Sequence, residues 1–243
     1  MASLAGTTAV ILAGGLGTRL RSAIDDRPKV LAPVRGRPFL SYLLDQLEVA
    51  GVQEVALSVG YLGAQIERSF GASYRGLRLA YSWEAAPLGT GGALRNAASL
   101  LHSDTVLVAN GDSYCDADLP ALLGRHRQWR AAATLLLAQV PRAGRYGRVI
   151  VDRNGCIESF EEKSGESPGV INAGIYLIGC GLLETLPANR AISLEREVFP
   201  HWVGRGLYGY ASEGRFLDIG TPDAYAAADE FFFPAEETRS RTT

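Results

Sequence analysis

The segment Leu12–Leu20 reads LAGGLGTRL and begins at the end of the apolar run Thr8–Ala13. An apolar run that ends in glycines predicts a buried strand, and clustered glycines let several backbone N–H groups converge on one phosphate. The strand and the loop together predict a polyphosphate site at the edge of a sheet. A glycine turn that binds no ligand is the alternative.

Two cations follow these glycines. Arg19 lies near the end of the loop, and Lys29 lies in the proline-flanked segment Pro28–Pro33. Proline restricts the backbone, so this segment is rigid, and the two side chains offer two positive charges to one polyphosphate. The loop is not a P-loop, which ends in Gly-Lys-Ser/Thr. It is not a dinucleotide fingerprint either, because that needs GxGxxG spacing and an acidic residue about 20 positions further on.

Short apolar runs alternate with longer amphipathic ones through the first half of the chain. This is the pattern of βαβ units around a mostly parallel sheet. The predicted strands are Thr8–Ala13, Glu54–Val59, Leu77–Trp83 and Thr105–Asn110, and the predicted helices are Pro38–Ala50, Leu62–Phe70 and Gly91–Leu101.

The second half predicts a small antiparallel extension, because the runs Ala132–Val140, Arg148–Asp152 and Ile157–Glu161 are strand-like and the turn Arg153–Gly155 joins the last two. We therefore expect one Rossmann-like α/β domain over residues 1–233, with a mostly parallel central sheet flanked by helices. The polar residues 234–243 are expected to form a disordered tail. Further predicted elements are the strands Val170–Ile178 and Leu207–Ala211 and the helices Ser193–Val203 and Pro222–Phe232.

Charge and composition exclude several classes of function. The chain has 24 Lys and Arg against 26 Asp and Glu, for a net charge of -2, so nucleic acid and anionic membranes are poor partners. No apolar run reaches the roughly 18 residues of a membrane span, and the apolar start lacks the basic leader of a signal peptide. The 3 cysteines have no CxxC spacing, so neither disulfides nor structural zinc is expected, and a cytoplasmic location is predicted.

Two aspartates are candidate magnesium ligands. Asp112 follows the predicted strand Thr105–Asn110, at the carboxyl edge of a parallel sheet, where open α/β folds bind ligands. Asp218 lies in the apolar segment Phe216–Gly220, where a carboxylate is costly unless a cation or a donor meets it. Mg²⁺ typically binds one or two carboxylates together with substrate phosphates, so the pair suits this ion. Each aspartate could instead be a helix N-cap or a turn residue.

Lysine usage is a separate signal, because Lys29 and Lys163 are the only lysines among the 24 basic residues. A compact ammonium group reaches between phosphate oxygens where a planar guanidinium group is too wide. Lys163 ends the run Phe160–Lys163, FEEK, and an exposed charged strand end is its alternative interpretation.

The motifs GGLGTRL and PKVLAPV together resemble the defining motif of the sugar-1-phosphate nucleotidyltransferases, and the GD and DIGTP segments resemble that family's metal-binding acids. The resemblance implies an enzyme that transfers a nucleoside monophosphate to a sugar 1-phosphate, releases pyrophosphate and uses Mg²⁺. It implies that the glycine loop wraps the triphosphate, that Arg19 stabilises the departing pyrophosphate and that Lys29 contacts phosphate. The implied catalytic residues are Arg19, Lys29, Asp112 and Asp218, the nucleotide-binding residues are Leu12, Gly14, Gly15, Gly17, Thr18, Glu84, Gly89 and Thr90, and the sugar-phosphate-binding residues are Gly147, Glu162, Lys163 and Asn172.

The expected nucleotide is GTP, because the segment Pro87–Leu94, PLGTGGAL, looks like that of guanylyltransferases. The carboxylate of Glu84 could accept the N1–H and N2–H₂ donors of guanine, which adenine does not present side by side. A solvated residue at the strand end is the alternative for Glu84.

The whole range Ala9–Phe232 resembles the D-glycero-D-manno-heptose 1-phosphate guanylyltransferases, also through RPFLSYLLDQL, SLEREVFP and FLDIGTPDAY. Mannose-1-phosphate guanylyltransferases commonly carry a further C-terminal β-helix domain, for which this sequence has no room. The heptose 1-phosphate is therefore the expected acceptor, and mannose or another hexose 1-phosphate is the alternative.

Two other functions stay open. Asp116 and Asp118 form a DxD pattern, which holds a metal in some glycosyltransferases that use sugar nucleotides, although short acidic patterns are weak signals. The second is a non-catalytic subunit that binds a sugar nucleotide without turnover. The run Phe231–Phe233 favours core packing over a homodimer contact.

Overall fold

The computed structural model describes residues 3–15, 17, 20, 24, 26–161 and 167–233. Their strands are β1 (Thr8–Leu12), β2 (Pro33–Val34), β3 (Arg37–Pro38), β4 (Glu54–Val59), β5 (Ser73–Tyr74), β6 (Leu77–Trp83), β7 (Thr105–Asn110), β8 (Ser113–Cys115), β9 (Ala133–Val140), β10 (Arg148–Val151), β11 (Ile157–Glu161), β12 (Gly169–Gly179), β13 (Leu207–Ser212) and β14 (Phe216–Asp218). Their α-helices are α1 (Phe39–Val49), α2 (Gly63–Phe70), α3 (Gly89–Asn96), α4 (Leu119–Trp129), α5 (Cys180–Thr185), α6 (Phe199–Trp202), α7 (Pro222–Ala226) and α8 (Ala228–Phe232). Short 3₁₀ turns cover Lys29–Leu31 and Ala97–Leu100, and a π turn covers Leu194–Val198.

An eight-stranded sheet forms the centre of the fold, in the order β13-β9-β12-β7-β1-β4-β6-β5. The neighbours β7, β1, β4 and β6 are parallel, whereas β12 runs antiparallel to both β7 and β9. Strand β1 is buried on both faces, which is why its sequence is continuously apolar instead of alternating. The predicted fold class is confirmed.

Alternate residues of each strand face two hydrophobic clusters on opposite sides of the sheet. Ile11 belongs to the cluster that contains the apolar face of α1, and Val10 belongs to the cluster that contains residues of α3 and α5. The predicted core packing of the C-terminal aromatic run is also found, because Phe232 stacks on Tyr42 with ring centroids 4.0 Å apart. Phe233 is 47% exposed.

Some elements differ from the prediction. Strand β9 belongs to the central sheet, so the separate antiparallel hairpin consists of β10 and β11 alone. Helix α4 was not predicted, although the N-cap Asp118 and a proline in the first turn are its sequence signal. The predicted helix Ser193–Val203 is a π turn followed by α6, and Pro222–Phe232 divides into α7 and α8. Residues 234–243, the predicted tail, lie outside the described residues.

The carboxyl ends of three strands lie level at one edge of the sheet. Leu12 is in register with Ser58 of β4 on one side and with Asn110 of β7 on the other. The N–H of Ala13 donates to the carbonyl oxygen of Ser58 at 2.8 Å, and that of Gly111 donates to the carbonyl oxygen of Leu12 at 2.9 Å. The glycine loop and the segment that carries Asp112 therefore begin at the same place, where open α/β sheets bind ligands.

A two-stranded antiparallel ribbon brings a late part of the chain to this edge. Ser113 of β8 pairs with Asp218 of β14, and the N–H of Ile219 donates to the carbonyl oxygen of Asp112 at 2.9 Å. Backbone pairing therefore makes Asp112 and Asp218 neighbours, although they are far apart in the sequence.

Candidate active site

A cleft of about 370 Å³ opens at this edge of the sheet. One side is the loop after β1, the floor is the end of β7, and the other side is the start of α3. Its lining brings together most of the predicted nucleotide-binding residues with Lys29 and Asp112. The lining residues are Leu12, Ala13, Gly14, Gly15, Gly17, Lys29, Val30, Glu84, Pro87, Gly89, Thr90, Ala93, Asn110, Gly111, Asp112 and Gly220.

The remaining predicted residues divide into two groups. Asp218, Gly147 and Asn172 are described but do not line this cleft. Thr18, Arg19, Glu162 and Lys163 lie outside the described residues.

Lys29 and Asp112 form an ion pair, with Nζ 2.6 Å from Oδ2. Lys29 begins a 3₁₀ turn directly after Pro28, whose extended backbone conformation sets the direction of the chain at this point. The Lys29 side chain is 11% exposed and that of Asp112 is 37% exposed. The pair therefore presents its carboxylate side to the cleft.

Asp218 is the more buried of the two candidate metal ligands, with its side chain 14% exposed. Burial raises the pKa of the Asp218 carboxyl, the neighbouring charge of Asp112 raises it further, and Lys29 and Arg145 act in the opposite direction. An arginine nitrogen of Arg145 lies 3.3 Å from Oδ2 of Asp218. Two carboxylates close enough to disfavour each other's charge suit a divalent cation, which removes that repulsion.

These two acids fit Mg²⁺ as partial ligands. In the part of the chain that the structure describes, no group of three or more His, Cys, Asp and Glu side chains could hold a metal ion. Such a cage is not required, because Mg²⁺ usually takes one or two carboxylates and completes its oxygen shell with water and substrate phosphates.

Glu84 lies at the cleft end of β6, and its carboxylate already accepts two hydrogen bonds. Its Oε1 accepts from the Ser58 hydroxyl at 2.9 Å, and its Oε2 accepts from the N–H of Leu88 at 3.0 Å. Because an ionised carboxylate offers about four lone-pair sites, each oxygen keeps capacity for one further donor. Gly14 permits this placement, since a Cβ on it would lie 2.5 Å from Oε1 of Glu84.

The glycines of the PLGTGGAL segment have a structural reason that the sequence did not indicate. A Cβ on Gly89, which has φ +68, would lie 2.7 Å from the carbonyl oxygen of Ile192, and one on Gly92 would lie 2.5 Å from that of Arg190. The N–H groups of Gly91 and Gly92 donate to the carbonyl oxygen of Ile192 at 2.9 and 3.2 Å. The first turn of α3 is thus capped by the segment 190–194, and these amides are not free to bind phosphate.

Thr90 and Asn172, predicted for different substrates, are joined by a polar network. The Thr90 hydroxyl donates to Glu195 Oε2 at 2.6 Å, and the Tyr176 hydroxyl donates to Glu195 Oε1 at 2.9 Å. Asn172 Nδ2 donates to the Tyr176 hydroxyl at 3.0 Å. Neither Tyr176 nor Glu195 was predicted as a site residue, because one lies within an apolar strand and the other within a charged segment.

Two further residues were missed for which a signal existed. Arg145, which pairs with Asp218, lies two residues before Gly147, one of the predicted sugar-phosphate-binding residues. Asn110, which lines the cleft, directly precedes the GD motif.

Gly147, a predicted sugar-phosphate-binding residue, lies close against the end of β11. It has φ +82, and a Cβ on it would lie 2.8 Å from the carbonyl oxygen of Glu161. Glu161 ends β11 and directly precedes Glu162 and Lys163. A glycine is therefore required at position 147, because any side chain there would collide with the backbone of Glu161 at the end of β11.

The DxD pattern has structural partners that account for both acids. Asp116 forms an ion pair with Arg215 at 2.9 Å. Asp118 is the N-cap of α4 and accepts from the N–H of Ala121 at 2.8 Å. Both contacts favour a structural role for this pattern.

Among the described helices, none combines the length and the apolar character needed to cross a membrane.

Comparison with known proteins gives consistent matches over most of the chain. The family model described as Nucleotidyl transferase matches residues 8–233. The chain is 38% identical over 223 residues to the D-glycero-alpha-D-manno-heptose 1-phosphate guanylyltransferase of Aneurinibacillus thermoaerophilus, covering 91% of this chain and 96% of that protein. It is 40% identical over 222 residues to the mannose-1-phosphate guanylyltransferase of Mycobacterium tuberculosis, covering 89% of this chain and 62% of that protein.

A solved structure shares the fold. HddC from Yersinia pseudotuberculosis is 32% identical, with a TM-score of 0.82 over 93% of this chain and 99% of that one. A second structure of HddC, complexed with GMP-PN, has a TM-score of 0.81 with the same coverage.

Proposed function

The chain belongs to the nucleotidyl transferase family, and from this premise we propose that it transfers GMP from GTP to a sugar 1-phosphate, forming a GDP-sugar and releasing pyrophosphate. The observation that carries the proposal is the meeting of Lys29, Asp112 and Asp218 beside a glycine-lined cleft. One cation and two carboxylates at a single place serve a triphosphate and a divalent ion together.

The proposed acceptor is D-glycero-α-D-manno-heptose 1-phosphate. Its support is the similarity to the heptose enzyme, which extends over 96% of that protein. GTP is the proposed nucleotide because both similar enzymes are guanylyltransferases and HddC has been solved with GMP-PN. Mannose 1-phosphate is the second candidate acceptor, because the mannose enzyme is 40% identical to this chain.

The proposed chemical step is an in-line displacement. An oxygen of the sugar phosphate forms a bond to the α-phosphorus of GTP, the bond from that phosphorus to the bridging oxygen breaks, and its electron pair leaves with pyrophosphate. Lys29 donates to phosphate oxygens while it stays paired with Asp112, because an ammonium group has three donors. Positioning and charge neutralisation then supply the catalysis without a covalent intermediate on the protein.

Asp112 and Asp218 are the residues that would hold Mg²⁺. When bound, this ion would act as a Lewis acid and would neutralise part of the charge on the phosphates. The remaining predicted residues, among them Arg19 and Lys163, keep their roles as proposals. A homodimer and a cytoplasmic location also remain predictions.

The deciding experiment is a matrix of four nucleoside triphosphates against heptose, mannose and glucose 1-phosphates, in the presence of Mg²⁺. Formation of the sugar nucleotide and release of pyrophosphate are both measured, and GTP with the heptose 1-phosphate is expected to react fastest. Binding without pyrophosphate in every combination would contradict the proposal and favour a non-catalytic subunit. Sugar transfer from a sugar nucleotide would favour a glycosyltransferase instead.

A further inference from the structure

The segment 190–195 lies across the first turn of α3. Its backbone pairs with residues on either side of Gly89: Ile192 donates to the carbonyl oxygen of Leu88 at 2.9 Å, and Leu194 donates to the Thr90 hydroxyl oxygen at 2.8 Å. Pro87, Gly89, Thr90 and Ala93 line the cleft. The position of this cleft wall is therefore set by a segment about one hundred residues later in the chain.

Glu195 ends this segment with a half-buried carboxylate that accepts three hydroxyl donors. These are Thr90 at 2.6 Å, Ser193 at 2.8 Å and Tyr176 at 2.9 Å. Within the described residues, no lysine or arginine forms an ion pair with Glu195. Its charge is therefore stabilised by hydroxyl groups whose directions it fixes in return.

Tyr176 extends this arrangement to Asn110 on the cleft floor and to Asn172. It is fully buried in β12, and burial raises the pKa of its hydroxyl well above the ordinary value, so it remains a proton donor. Because its single proton points to Glu195, the hydroxyl oxygen accepts from Asn172 at 3.0 Å and from Asn110 at 3.5 Å. Asn110 lies on the cleft floor, two residues before Asp112.

We propose that Glu195 is a positioning residue that couples the nucleotide site in the cleft to the neighbouring acceptor site. The inference rests on the proposed function, in which Thr90 belongs to the nucleotide site and Asn172 to the sugar-phosphate site. The carboxylate of Glu195 accepts from both Thr90 and Tyr176. A ligand that orders Thr90 therefore also orders Tyr176 and its partner Asn172. Coupling of this kind is reciprocal: each substrate tightens the binding of the other by the same factor.

The test measures this factor directly. Guanosine 5′-(α,β-methylene)triphosphate cannot release pyrophosphate, and its dissociation constant is measured by calorimetry with Mg²⁺, with and without saturating D-glycero-α-D-manno-heptose 1-phosphate. The wild-type protein is expected to bind the analogue about fivefold more tightly with the sugar phosphate present, a typical coupling. In Glu195→Gln, whose amide cannot accept all three hydroxyl donors, the two dissociation constants are expected to become equal.

Two variants make the result decisive. Glu197→Gln changes an exposed carboxylate two residues after Glu195. Its amide oxygen can still accept from the N–H of Ser193, as Glu197 Oε1 does at 3.0 Å, so this variant is expected to keep the wild-type factor. Tyr176→Phe removes only the hydroxyl link and is expected to lose the coupling, and it decides the matter if Glu195→Gln does not fold. An unchanged factor in a folded Glu195→Gln or Tyr176→Phe protein overturns the inference, as does a wild-type protein that binds the analogue without coupling. A wild-type protein that binds no analogue contradicts the proposed function itself.

Discussion

Lys29 and Asp112 are joined by a contact of 2.6 Å between Nζ and Oδ2, and the carbonyl oxygen of Asp112 accepts from the N–H that follows Asp218. One cation and two carboxylates are thus held in place by an ion pair and by backbone pairing. Groups that are fixed before the substrate binds do not have to reorganise during the reaction.

Lys29→Met is expected to lower kcat/KM by roughly 100-fold or more, the usual effect of removing one preorganised donor from a transition state. Lys29→Arg is expected to recover only part of the activity, because a planar guanidinium does not replace a compact ammonium group. Pyrophosphate release measures both effects, and circular dichroism checks the fold. Arg68→Met, which removes an exposed cation from α2, is the matched control. A folded Lys29→Met protein with wild-type kcat/KM would exclude Lys29 from the reaction.

The strands around the site could be predicted because their signal is local. β1, β4 and β7 are apolar runs bounded by turns, and their buried residues are visible in the sequence without knowledge of the partners. The level strand ends that bring the glycine loop to Asp112 then follow from parallel pairing.

The long-range contacts of the site could not be predicted in this way. β8 and β14 are three residues each, too short for a periodic pattern, and yet their pairing places Asp218 beside Asp112. The chemistry of the two carboxylates and the family resemblance both indicated a pair, but neither indicated the backbone pairing that brings the two acids together. The hydroxyl of Tyr176 gave no signal within an apolar strand, and its partner Glu195 comes from another part of the chain.

Asp218→Asn is expected to abolish most of the activity and at the same time to stabilise the fold. The raised pKa of Asp218 means that its charged form is disfavoured in the folded protein. The free energy of unfolding is therefore highest below the ordinary pKa of 3.8, where this carboxyl is protonated in both states, and it falls as the pH rises through the raised value. At pH 7 the asparagine variant avoids this loss, so its melting temperature should exceed that of the wild type.

The stability difference for Asp218→Asn should shrink as the pH approaches 4, because the wild-type carboxyl then binds a proton. Thermal melts from pH 4 to pH 8 without divalent ions measure this trend. Asp104→Asn, at an exposed position, controls for the loss of one negative charge. A lower melting temperature of Asp218→Asn at pH 7 would mean that hydrogen bonds of the carboxylate outweigh its burial.

His126 is expected to make the fold sensitive to acid, independently of the active site. It is 4% exposed in α4, its Nδ1 lies 2.9 Å from the Thr134 hydroxyl oxygen, and burial lowers its pKa from 6.5 to about 4. Between these values the unfolded chain binds a proton that the folded protein does not, so the free energy of unfolding falls as the pH decreases. The loss should be on the order of 3 kcal/mol by pH 4.

Urea unfolding at pH 7, 5.5 and 4 measures the contribution of His126. His126→Asn, whose amide can still face Thr134, is expected to remove most of this dependence. His102→Asn, at an exposed histidine, should retain it. Equal pH dependence in the two variants would show that other groups cause the acid sensitivity.

Glu84→Gln is expected to reduce the preference for GTP over ATP about tenfold, a loss of one good discriminating hydrogen bond. The carboxylate is held by Ser58 and Leu88 and faces the cleft, and the amide of glutamine replaces one acceptor by a donor that opposes the guanine donors. Competition between the two triphosphates, scored by sugar-nucleotide formation, measures the ratio. An unchanged ratio would remove Glu84 from base recognition.

Gly14→Ala tests the same contact without changing a charge. The added Cβ would lie 2.5 Å from Oε1 of Glu84, so the carboxylate must move away from its position. Any weakening of triphosphate binding by the altered loop affects GTP and ATP alike and cancels in their ratio, whereas displacement of Glu84 lowers the ratio. Gly76→Ala, with no atom within 4 Å of the new Cβ, is the control for the substitution itself. Reduced turnover with an intact ratio in Gly14→Ala would assign this glycine to the phosphates alone.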